Sequence, residues 1–261
     1  MSLPDIRLST TPIALDDFPM ERRVGLLALA TDHTSEVDFR RMVASDSLGV
    51  YVARVPYANP TTPDTLRGLL PRLAEGAALV LPGEPLNAVY FACTSASVVI
   101  GEAAVEHAIR QAKPGVPVVT PTRAARRGLR SLGVKRISLL TPYTPATTAP
   151  MLRYFVEGGL DVVSCTCLGL DDDRVMARIN AASLIAAARE ATAADAEALF
   201  FSCTGVRSAA VTAEIEQAIS RPIITSNQAA AWMILRLCGD TMPRPQFGRL
   251  MACPDIGKEG E

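Results

Sequence analysis

An internal repeat constrains the fold of this 261-residue chain more than any other feature of its sequence. Three pairs of segments match in the same order: 91–109 with 201–219, 116–129 with 221–235, and 24–34 with 137–147. The displacement between matched segments is 110 residues from Cys93 to Cys203, 105 for the second pair and about 113 for the third. Such similar displacements indicate two copies of one unit, each about 110 residues long.

Each copy alternates between strand-like and helix-like patterns. Apolar, β-branched runs lie at 24–30, 48–55, 88–94, 116–120, 136–141, 160–167, 197–204 and 221–226. Apolar residues at helical spacing predict helices over 98–112 and 171–190, and 122–133 is the helical connection between the copies. Strands that alternate with helices of this length form parallel sheets covered on both faces. The predicted fold is therefore α/β, with two similar lobes.

The repeat also sets the predicted domain boundaries. The first α/β lobe spans 20–121 and is completed by 227–250, the second spans 122–226, and 1–19 and 251–261 are tails. Two lobes related by a pseudo-twofold axis face each other across a cleft. Ligands of open α/β sheets bind outside the carboxyl ends of the strands. We therefore expect the site in the cleft between the lobes.

Composition and charge exclude several classes of protein. The chain has 26 Lys and Arg against 27 Asp and Glu, without the basic patch of a nucleic-acid-binding protein. Its apolar runs are strand-sized, well short of the roughly 18 residues that span a bilayer. The N-terminal segment 1–19 lacks the apolar core of a signal peptide. We expect a cytoplasmic protein with neither a nucleic acid nor a membrane as partner.

Two of the six cysteines recur symmetrically. Cys93 and Cys203 are each followed by Thr, where a strand is predicted to end and a helix to begin. Backbone N–H groups and the helix dipole at such a position bind a small anion and lower the pKa of a thiol. A single strand-end cysteine is more often an ordinary core residue, but the symmetric recurrence favours a functional pair. The small residues that leave room for a carboxylate are Thr94, Ser95, Thr204 and Gly205.

The other cysteines are interpreted as buried structural thiols: Cys165, Cys167, Cys238 and Cys253. A chain of this length can bury a core without disulfides. It contains no CxxC pair, and its two histidines lie far apart in sequence. We therefore predict no metal site.

The motifs around the cysteines resemble the aspartate/glutamate racemase superfamily. They are CTSAS (93–97), SCTGVRS (202–208), LLTPY (139–143) and ITSNQAAAW (224–232). Within the superfamily they are most similar to the maleate cis–trans isomerase and arylmalonate decarboxylase group. With ATDHTSEVDFRR (30–41) added, the set resembles the maleate-isomerase-like proteins of ectoine utilization. The resemblance runs from about residue 20 to residue 250.

This resemblance implies two pseudo-symmetric lobes, each a parallel four-stranded sheet with helices on both faces. It also implies catalysis without a cofactor and a homodimer or homotetramer. Cys93 corresponds to the nucleophile or base of the first lobe, and Cys203 to its counterpart in the second. Thr94, Ser95, Thr204 and Gly205 correspond to residues that bind substrate carboxylates. Tyr143 matches a tyrosine that contacts substrate, although a packing role in a Pro-rich turn is an equal alternative.

One position departs from the family pattern. Asp32 stands where maleate isomerases hold an Asn. A carboxylate would repel a dicarboxylate substrate, so Asp32 favours a substrate with an amino group or another cation; capping of the next segment is an equal alternative. His33 is a candidate acid or base, or a solvent-facing loop residue. Ser226 and Asn227 are candidate donors to substrate, or residues that only stabilise the turn.

Three cysteine chemistries fit this architecture. In racemisation, one thiolate removes a proton while the opposite thiol delivers another; in cis–trans isomerisation, one thiolate adds to a double bond and later leaves. Decarboxylation by a single cysteine is disfavoured, because both cysteines are present. We predict a cofactor-independent isomerase of a small carboxylic or amino acid, either a cis–trans isomerase or a racemase. A two-lobe binding protein without catalysis is the alternative from another class.

Overall fold

Two parallel four-stranded sheets form the framework of the structure, a computed structural model that describes residues 3–255. The strands are β1 (Arg22–Leu29), β2 (Leu48–Val55), β3 (Ala88–Ala92), β4 (Val118–Val119), β5 (Arg136–Tyr143), β6 (Asp161–Leu170), β7 (Ala198–Phe201) and β8 (Ile223–Thr225). The first sheet has the order β2-β1-β3-β4 and the second has the order β6-β5-β7-β8. The same order in both sheets confirms the predicted α/β fold of two pseudo-symmetric lobes.

Helices connect the strands and cover the sheets. They are α1 (Ser35–Met42), α2 (Pro63–Arg67), α3 (Leu73–Ala78), α4 (Thr94–Ile100), α5 (Glu102–Ala112), α6 (Pro121–Ser131), α7 (Pro145–Glu157), α8 (Asp173–Met176), α9 (Ala181–Ala191), α10 (Thr212–Ile219), α11 (Ser226–Leu237) and α12 (Arg249–Ala252). Short 3-10 helices lie at Leu70–Arg72, Arg207–Val211 and Pro245–Phe247. Within residues 3–255, none of the helices has the length and apolar character needed to span a bilayer.

The central strands are the most buried parts of each sheet. All residues of β3 and β7 are buried, and β1 and β5 are buried beyond their first residue. Continuous apolar runs such as VGLLAL fit these positions, because a central parallel strand is covered on both faces. The edge strand β6 differs, since its residues are exposed or only partly buried. Cys165 is exposed and Cys167 half-buried there, so the expectation that both are buried thiols is wrong.

Two predicted helices are each divided in the structure. The segment predicted as one helix over 98–112 is α4 followed by α5, with Gly101 between them at φ +93°. Glycine adopts this backbone conformation without the steric cost paid by other residues. The segment predicted as one helix over 171–190 is α8 followed by α9, and the Asn180 side chain caps α9 by accepting the Ser183 N–H at 2.8 Å. Apolar periodicity continues across both breaks, which is why it did not reveal them.

The repeat extends to the caps of matching helices. Thr120 precedes α6 and Thr225 precedes α11, each after the fourth strand of its lobe. In each case the threonine hydroxyl accepts a backbone N–H of the first helical turn, from Arg123 and Gln228 respectively. These contacts satisfy N–H groups that would otherwise lack partners at a helix start.

Helices α6 and α11 join the two lobes. They pack against each other, and α11 also contacts α1 and β3 of the first lobe. One apolar core therefore runs through both lobes and includes Phe39, Tyr90, Phe200 and Trp232. The rings of Phe39 and Tyr90 stack at 4.8 Å between centroids. This shared core fixes the two sheets relative to each other and so defines the cleft between them.

Candidate active site

A small cavity lies where the carboxyl ends of the central strands of both sheets meet. Leu29 ends β1 and Tyr143 ends β5, while Cys93 and Cys203 closely follow β3 and β7. The complete lining is Leu29, Asp32, Tyr57, Thr61, Leu66, Cys93, Ser95, Tyr143, Asp173, Cys203, Thr204 and Gly205. The cavity has an empty volume of about 310 Å³, open solvent at its mouth included. Its position between the lobes confirms the cleft expected from the repeat.

Cys93 reaches the cavity from the first residue before α4. It is only 4% exposed, with an ordinary extended backbone at φ −151° and ψ 108°. Its Sγ lies 3.7 Å from the Ser95 hydroxyl. The cysteine therefore sits where a helix begins, as the sequence predicts.

Cys203 reaches the same cavity through a different backbone conformation. Its φ is +109°, a region that non-glycine residues rarely adopt and that costs about 1–3 kcal/mol. The Cys203 N–H donates to the Ser226 hydroxyl at 3.0 Å, and the Gly205 N–H donates to the Cys203 Sγ at 3.2 Å. A turn and the 3-10 helix Arg207–Val211 follow it. The prediction that a helix begins directly after both Cys-Thr pairs is therefore wrong for this second pair.

The thiols of both cysteines are harder to ionise than predicted. Burial raises the pKa of Cys93 to about 12, although the Ala96 N–H and the Ser95 hydroxyl act in the opposite direction. Burial also raises the pKa of Cys203 well above its usual range, and the negative charge of Asp173 adds to this. The first turn of α4 lowers the pKa of Cys93 through the Ala96 N–H, as expected, but desolvation outweighs this effect and the net shift is upward. Within this lining, burial favours the neutral thiol form of both cysteines.

Asp32 lies just before α1 and lines the cavity. Its Oδ1 accepts the backbone N–H groups of Thr34 at 2.7 Å and Ser35 at 2.9 Å, and its Oδ2 accepts the Ser35 hydroxyl at 2.5 Å. The side chain is buried, and burial raises its pKa despite these hydrogen bonds. The N-cap residue of α1 is Thr34, so Asp32 is not the N-cap itself; it stabilises the start of the helix from two residues earlier and also lines the cavity.

Asp173 is a second acid of the cavity, and sequence reasoning missed it. The Thr31 hydroxyl donates to its Oδ2 at 2.7 Å, and the Thr61 hydroxyl donates to its Oδ1 at 3.1 Å. The Tyr57 hydroxyl donates in turn to Thr61 at 3.1 Å. Burial raises the pKa of Asp173, and the charge of Asp32 adds to this effect. In the sequence this residue is only the last of three aspartates at a predicted helix start, and nothing in that run indicates which one faces inward.

Two of the predicted substrate-contacting residues lie behind the cavity and join the lobes. Ser226 accepts the Thr94 hydroxyl at 2.8 Å as well as the Cys203 N–H. Neither Ser226 nor Thr94 is part of the lining. The Thr204 hydroxyl, which does reach the lining, donates to the Ala92 carbonyl at 3.0 Å. These contacts connect the cysteine turn of one lobe to that of the other.

Asn227 also lies behind the lining, and its hydrogen bonds are directed into the protein. Its Nδ2 donates to Asp38 at 2.9 Å and to the Thr204 carbonyl at 3.0 Å. Its Oδ1 accepts the Tyr90 hydroxyl at 3.0 Å and lies 3.2 Å from the Ser35 hydroxyl. The amide therefore orients the Thr204 turn in this structure and presents no free donor to the cavity.

The structure divides the predicted site residues into two groups. Those that line one cavity are Asp32, Cys93, Ser95, Tyr143, Cys203, Thr204 and Gly205. Those behind it are Thr94, Ser226 and Asn227. His33 belongs to neither group, since it is exposed in a surface groove with Asp172 and Arg174.

The ionisable side chains that line the cavity are all acids. The lining contains two carboxyl groups and two thiols, and among residues 3–255 no Lys, Arg or His contributes to it. The Arg54 guanidinium donates to the backbone carbonyls of Leu29 and Asp32 and to Glu36, so it supports the Asp32 loop from outside. Chemically, the cavity offers two sulfurs from opposite lobes, hydroxyl groups and two acids to one small ligand.

The chain is similar to arylmalonate decarboxylases over most of the region that forms the cavity. A family model described as arylmalonate decarboxylase matches residues 61–251. The chain is 32% identical over 151 residues to the arylmalonate decarboxylase of Bordetella bronchiseptica, a match that covers 57% of this chain and 62% of that enzyme. It therefore spans less than two thirds of that relative.

Relatives of a second activity match over a greater length. The maleate isomerase of Geobacillus stearothermophilus is 20% identical over 245 residues, which cover 88% of this chain and 97% of that enzyme. A mutant of the Nocardia farcinica maleate cis-trans isomerase, solved with a covalently bound succinylcysteine intermediate, superposes with a TM-score of 0.81 at 21% identity. That match covers 88% of this chain and 98% of the other, and it shows the shared two-lobed fold.

Proposed function

Because the chain belongs to the arylmalonate decarboxylase family, we propose that it is a cofactor-independent isomerase of a small carboxylic or amino acid. Cys93 and Cys203 carry the chemistry in this proposal. The observation that supports it most is their arrangement: two buried thiols, from opposite lobes, line one small cavity. A protein that only binds a small acid has no need of two sulfurs around one ligand.

In a racemase or epimerase, the two sulfurs act on opposite faces of one carbon. One thiolate takes the proton of the substrate C–H bond, forming S–H and leaving the electron pair on the adjacent carboxylate as an enolate. The opposite thiol then gives its proton to the other face of that carbon. One sulfur gains a proton and the other loses one, so no oxidant, reductant or co-substrate is needed.

In a cis–trans isomerase, one sulfur acts as a nucleophile. A thiolate adds to one carbon of the double bond, and the opposite thiol gives its proton to the other carbon, so that a C–S bond and a C–H bond replace the π bond. The bond that is now single rotates, the opposite thiolate takes a proton back from that carbon, and the C–S bond breaks as the double bond re-forms. The succinylcysteine of the Nocardia farcinica enzyme is an adduct of this kind and supports this alternative.

A decarboxylase is the candidate favoured by the family description and by the Bordetella bronchiseptica relative. In that chemistry, loss of carbon dioxide leaves an enolate that a single cysteine protonates. Such a reaction has no use for a second thiol on the same ligand. The presence of Cys93 opposite Cys203 therefore favours an isomerase over a decarboxylase.

Three neighbouring groups would position the substrate and the thiols. The Ser95 hydroxyl lies beside Cys93, and the Tyr143 hydroxyl partly opposes the burial that raises the pKa of Cys203. The Gly205 N–H, which donates to the Cys203 sulfur, stabilises the thiolate in the same way. Each cysteine thus has at least one donor that partly offsets the desolvation of its negative form.

Proton NMR in D2O with a small panel of acids tests the proposal. The panel is maleate, aspartate and 2,4-diaminobutyrate, the last included because of the resemblance to proteins of ectoine utilization. We expect either a growing fumarate signal from maleate or loss of the α-proton signal from an amino acid by exchange with deuterium. Phenylmalonate serves as the decarboxylase probe, and its conversion to phenylacetate without either other change would contradict the proposal. An unchanged spectrum for every acid would favour the binding protein instead.

A further inference from the structure

We propose that the substrate carries a protonated amino group, which is received between Asp32 and Asp173, and that Asp173 determines this specificity. The inference rests on the proposed function, because it concerns the ligand of the same cavity. It adds a residue that the motifs do not contain and narrows the substrate from small acids in general to those with an ammonium group.

The two acids approach the cavity from different lobes. Asp32 follows β1 of the first lobe, whereas Asp173 is the first residue of α8, after β6 of the second lobe. The Thr31 hydroxyl, next to Asp32 in the chain, donates to Asp173 at 2.7 Å and holds the two loops together. A ligand in the cavity therefore meets a carboxyl group on each side of the cleft.

Within the described part of the chain, neither Asp32 nor Asp173 forms a salt bridge, although the charge of Arg54 acts on Asp32 from outside the cavity. The described side-chain partners of Asp173 are hydroxyl groups, and those of Asp32 are the hydroxyl groups of Thr34 and Ser35. A carboxylate offers about four acceptor positions, so each oxygen of Asp173 can accept a further N–H from a ligand. Buried charges in proteins are normally paired. An ammonium group of the ligand is the partner that fits this lining.

Charge also disfavours the simplest alternative ligand. A dicarboxylate such as maleate would bring two negative charges to a cavity that holds Asp32 and Asp173 and to which no basic side chain of residues 3–255 contributes. Like charges in a poorly solvated site repel each other, whereas an ammonium group and a carboxylate attract. An amino acid, with one group of each sign, satisfies the acids while keeping the carboxylate that the proposed chemistry requires.

A bound cation would also activate the thiols. The charge of Asp173 is among the causes that raise the pKa of both Cys93 and Cys203. A positive charge beside Asp173 opposes that effect and favours the thiolate. Substrate binding and formation of the reactive sulfur are therefore coupled through the same residue.

Calorimetric titration of the full chain with matched ligands tests the inference without requiring turnover. β-Alanine and succinate differ only in that an ammonium group replaces one carboxylate. 4-Aminobutyrate and glutarate differ in the same way, with one more methylene in each. We expect the ammonium member of each pair to bind at least about tenfold more tightly, as suits a charged hydrogen bond in a buried site. Equal binding within each pair, or tighter binding of succinate and glutarate, would overturn the inference.

Asp173→Asn supplies the second arm of the test. This substitution keeps the size of the side chain and an acceptor for Thr61 or Thr31, but removes the charge. The preference for the ammonium ligand should fall by about tenfold, through weaker binding of the amines and stronger binding of the dicarboxylates. Asp171→Asn, which changes an exposed acid two residues away, is the matched control and should retain the full preference. An unchanged preference in Asp173→Asn would reject Asp173 as its determinant.

The outcomes separate this inference from the proposed function. Isomerisation of maleate with no preference for amines would leave the proposed function standing and reject the inference. A preference for amines that depends on Asp173, without turnover of any ligand, would support the inference and reject the isomerase. Failure of every amine ligand to bind would reject the inference directly.

Discussion

Cys93 and Cys203 occupy matching positions in the repeat but differ in backbone conformation. Cys93 is extended at φ −151°, whereas Cys203 is held at φ +109° by the Ser226 hydroxyl. Strain of this kind persists only where the surroundings fix it, and it is found often at functional sites. The sequence predicted both cysteines and the cleft that they face. It could not predict the difference between their backbone conformations. That difference depends on tertiary contacts of Ser226, which accepts the Cys203 N–H and also the hydroxyl of Thr94 in the other lobe.

Asp38 makes the stability of the folded protein depend on pH. It is buried behind the cavity, and burial raises its pKa to about 7, with the charge of Asp32 adding to this and the hydrogen bond from Asn227 opposing it. The folded protein therefore binds this proton more tightly than the unfolded chain. The resulting stabilisation is complete below the unfolded pKa, near 4, and is lost as the pH rises through about 7.

Asp38→Asn should remove this pH dependence, because the amide is neutral at every pH and still accepts from Asn227. We expect a gain of about 2–4 kcal/mol in the free energy of unfolding at pH 8 and little change at pH 4. Urea unfolding at the two pH values measures the difference. Some pH dependence remains, since burial also raises the pKa of Asp32 and Asp173. A variant no more stable than the wild type at pH 8 would contradict this role of Asp38.

Gly101 separates two elements that sequence periodicity predicted as one helix. At φ +93° it ends α4 and begins α5, and space around its Cα is open to a side chain. Any loss of stability when Gly101 is replaced therefore comes from the backbone conformation and not from a steric clash. Periodicity missed this break because it reports which face of a segment is apolar and not the dihedral angles between its turns. Glycine in a helical pattern was the available signal.

Gly101→Ala should destabilise the protein by about 1–2 kcal/mol, because alanine at a positive φ is strained. Gly76→Ala is the matched control. Gly76 lies inside α3, where the added Cβ would have ordinary contacts at 3.4 and 3.8 Å. Alanine should be neutral or stabilising there, because it is the better helix former. Midpoints of urea unfolding compare the two variants, and equal midpoints would show that the break does not depend on glycine.

At the scale of the whole molecule, duplication accounts for the position of the cavity. Two copies with the same strand order place the carboxyl ends of β1, β3, β5 and β7 around one space. Strand-like runs and matched motifs made that arrangement predictable, and they also identified seven of the lining residues. Tyr57, Thr61 and Asp173 could not be found in this way. They lie in connections outside the matched segments, and tertiary packing alone brings them to the cavity.

The contrast between matched strand ends and unmatched connections explains how one fold can serve several reactions. The matched strand ends supply the two sulfurs, whereas Asp173, which selects the ligand in our proposal, comes from a connection outside the matched segments. Fold alone therefore does not determine the substrate. In this molecule the second lobe contributes Asp173 through α8, and the first contributes Asp32 through the loop after β1.

The most direct test of the central claim is the turnover of Cys93→Ser and Cys203→Ser on the acid that the wild type converts. Serine preserves the shape of each side chain but is a far weaker acid than a thiol, so we expect each variant to lose about 1,000-fold or more in kcat. Cys165→Ser, on the exposed edge strand β6, is the matched control and should retain wild-type activity. Loss in both cavity variants, with melting temperatures unchanged, is the result predicted for a two-cysteine isomerase. Full activity in either one would contradict it.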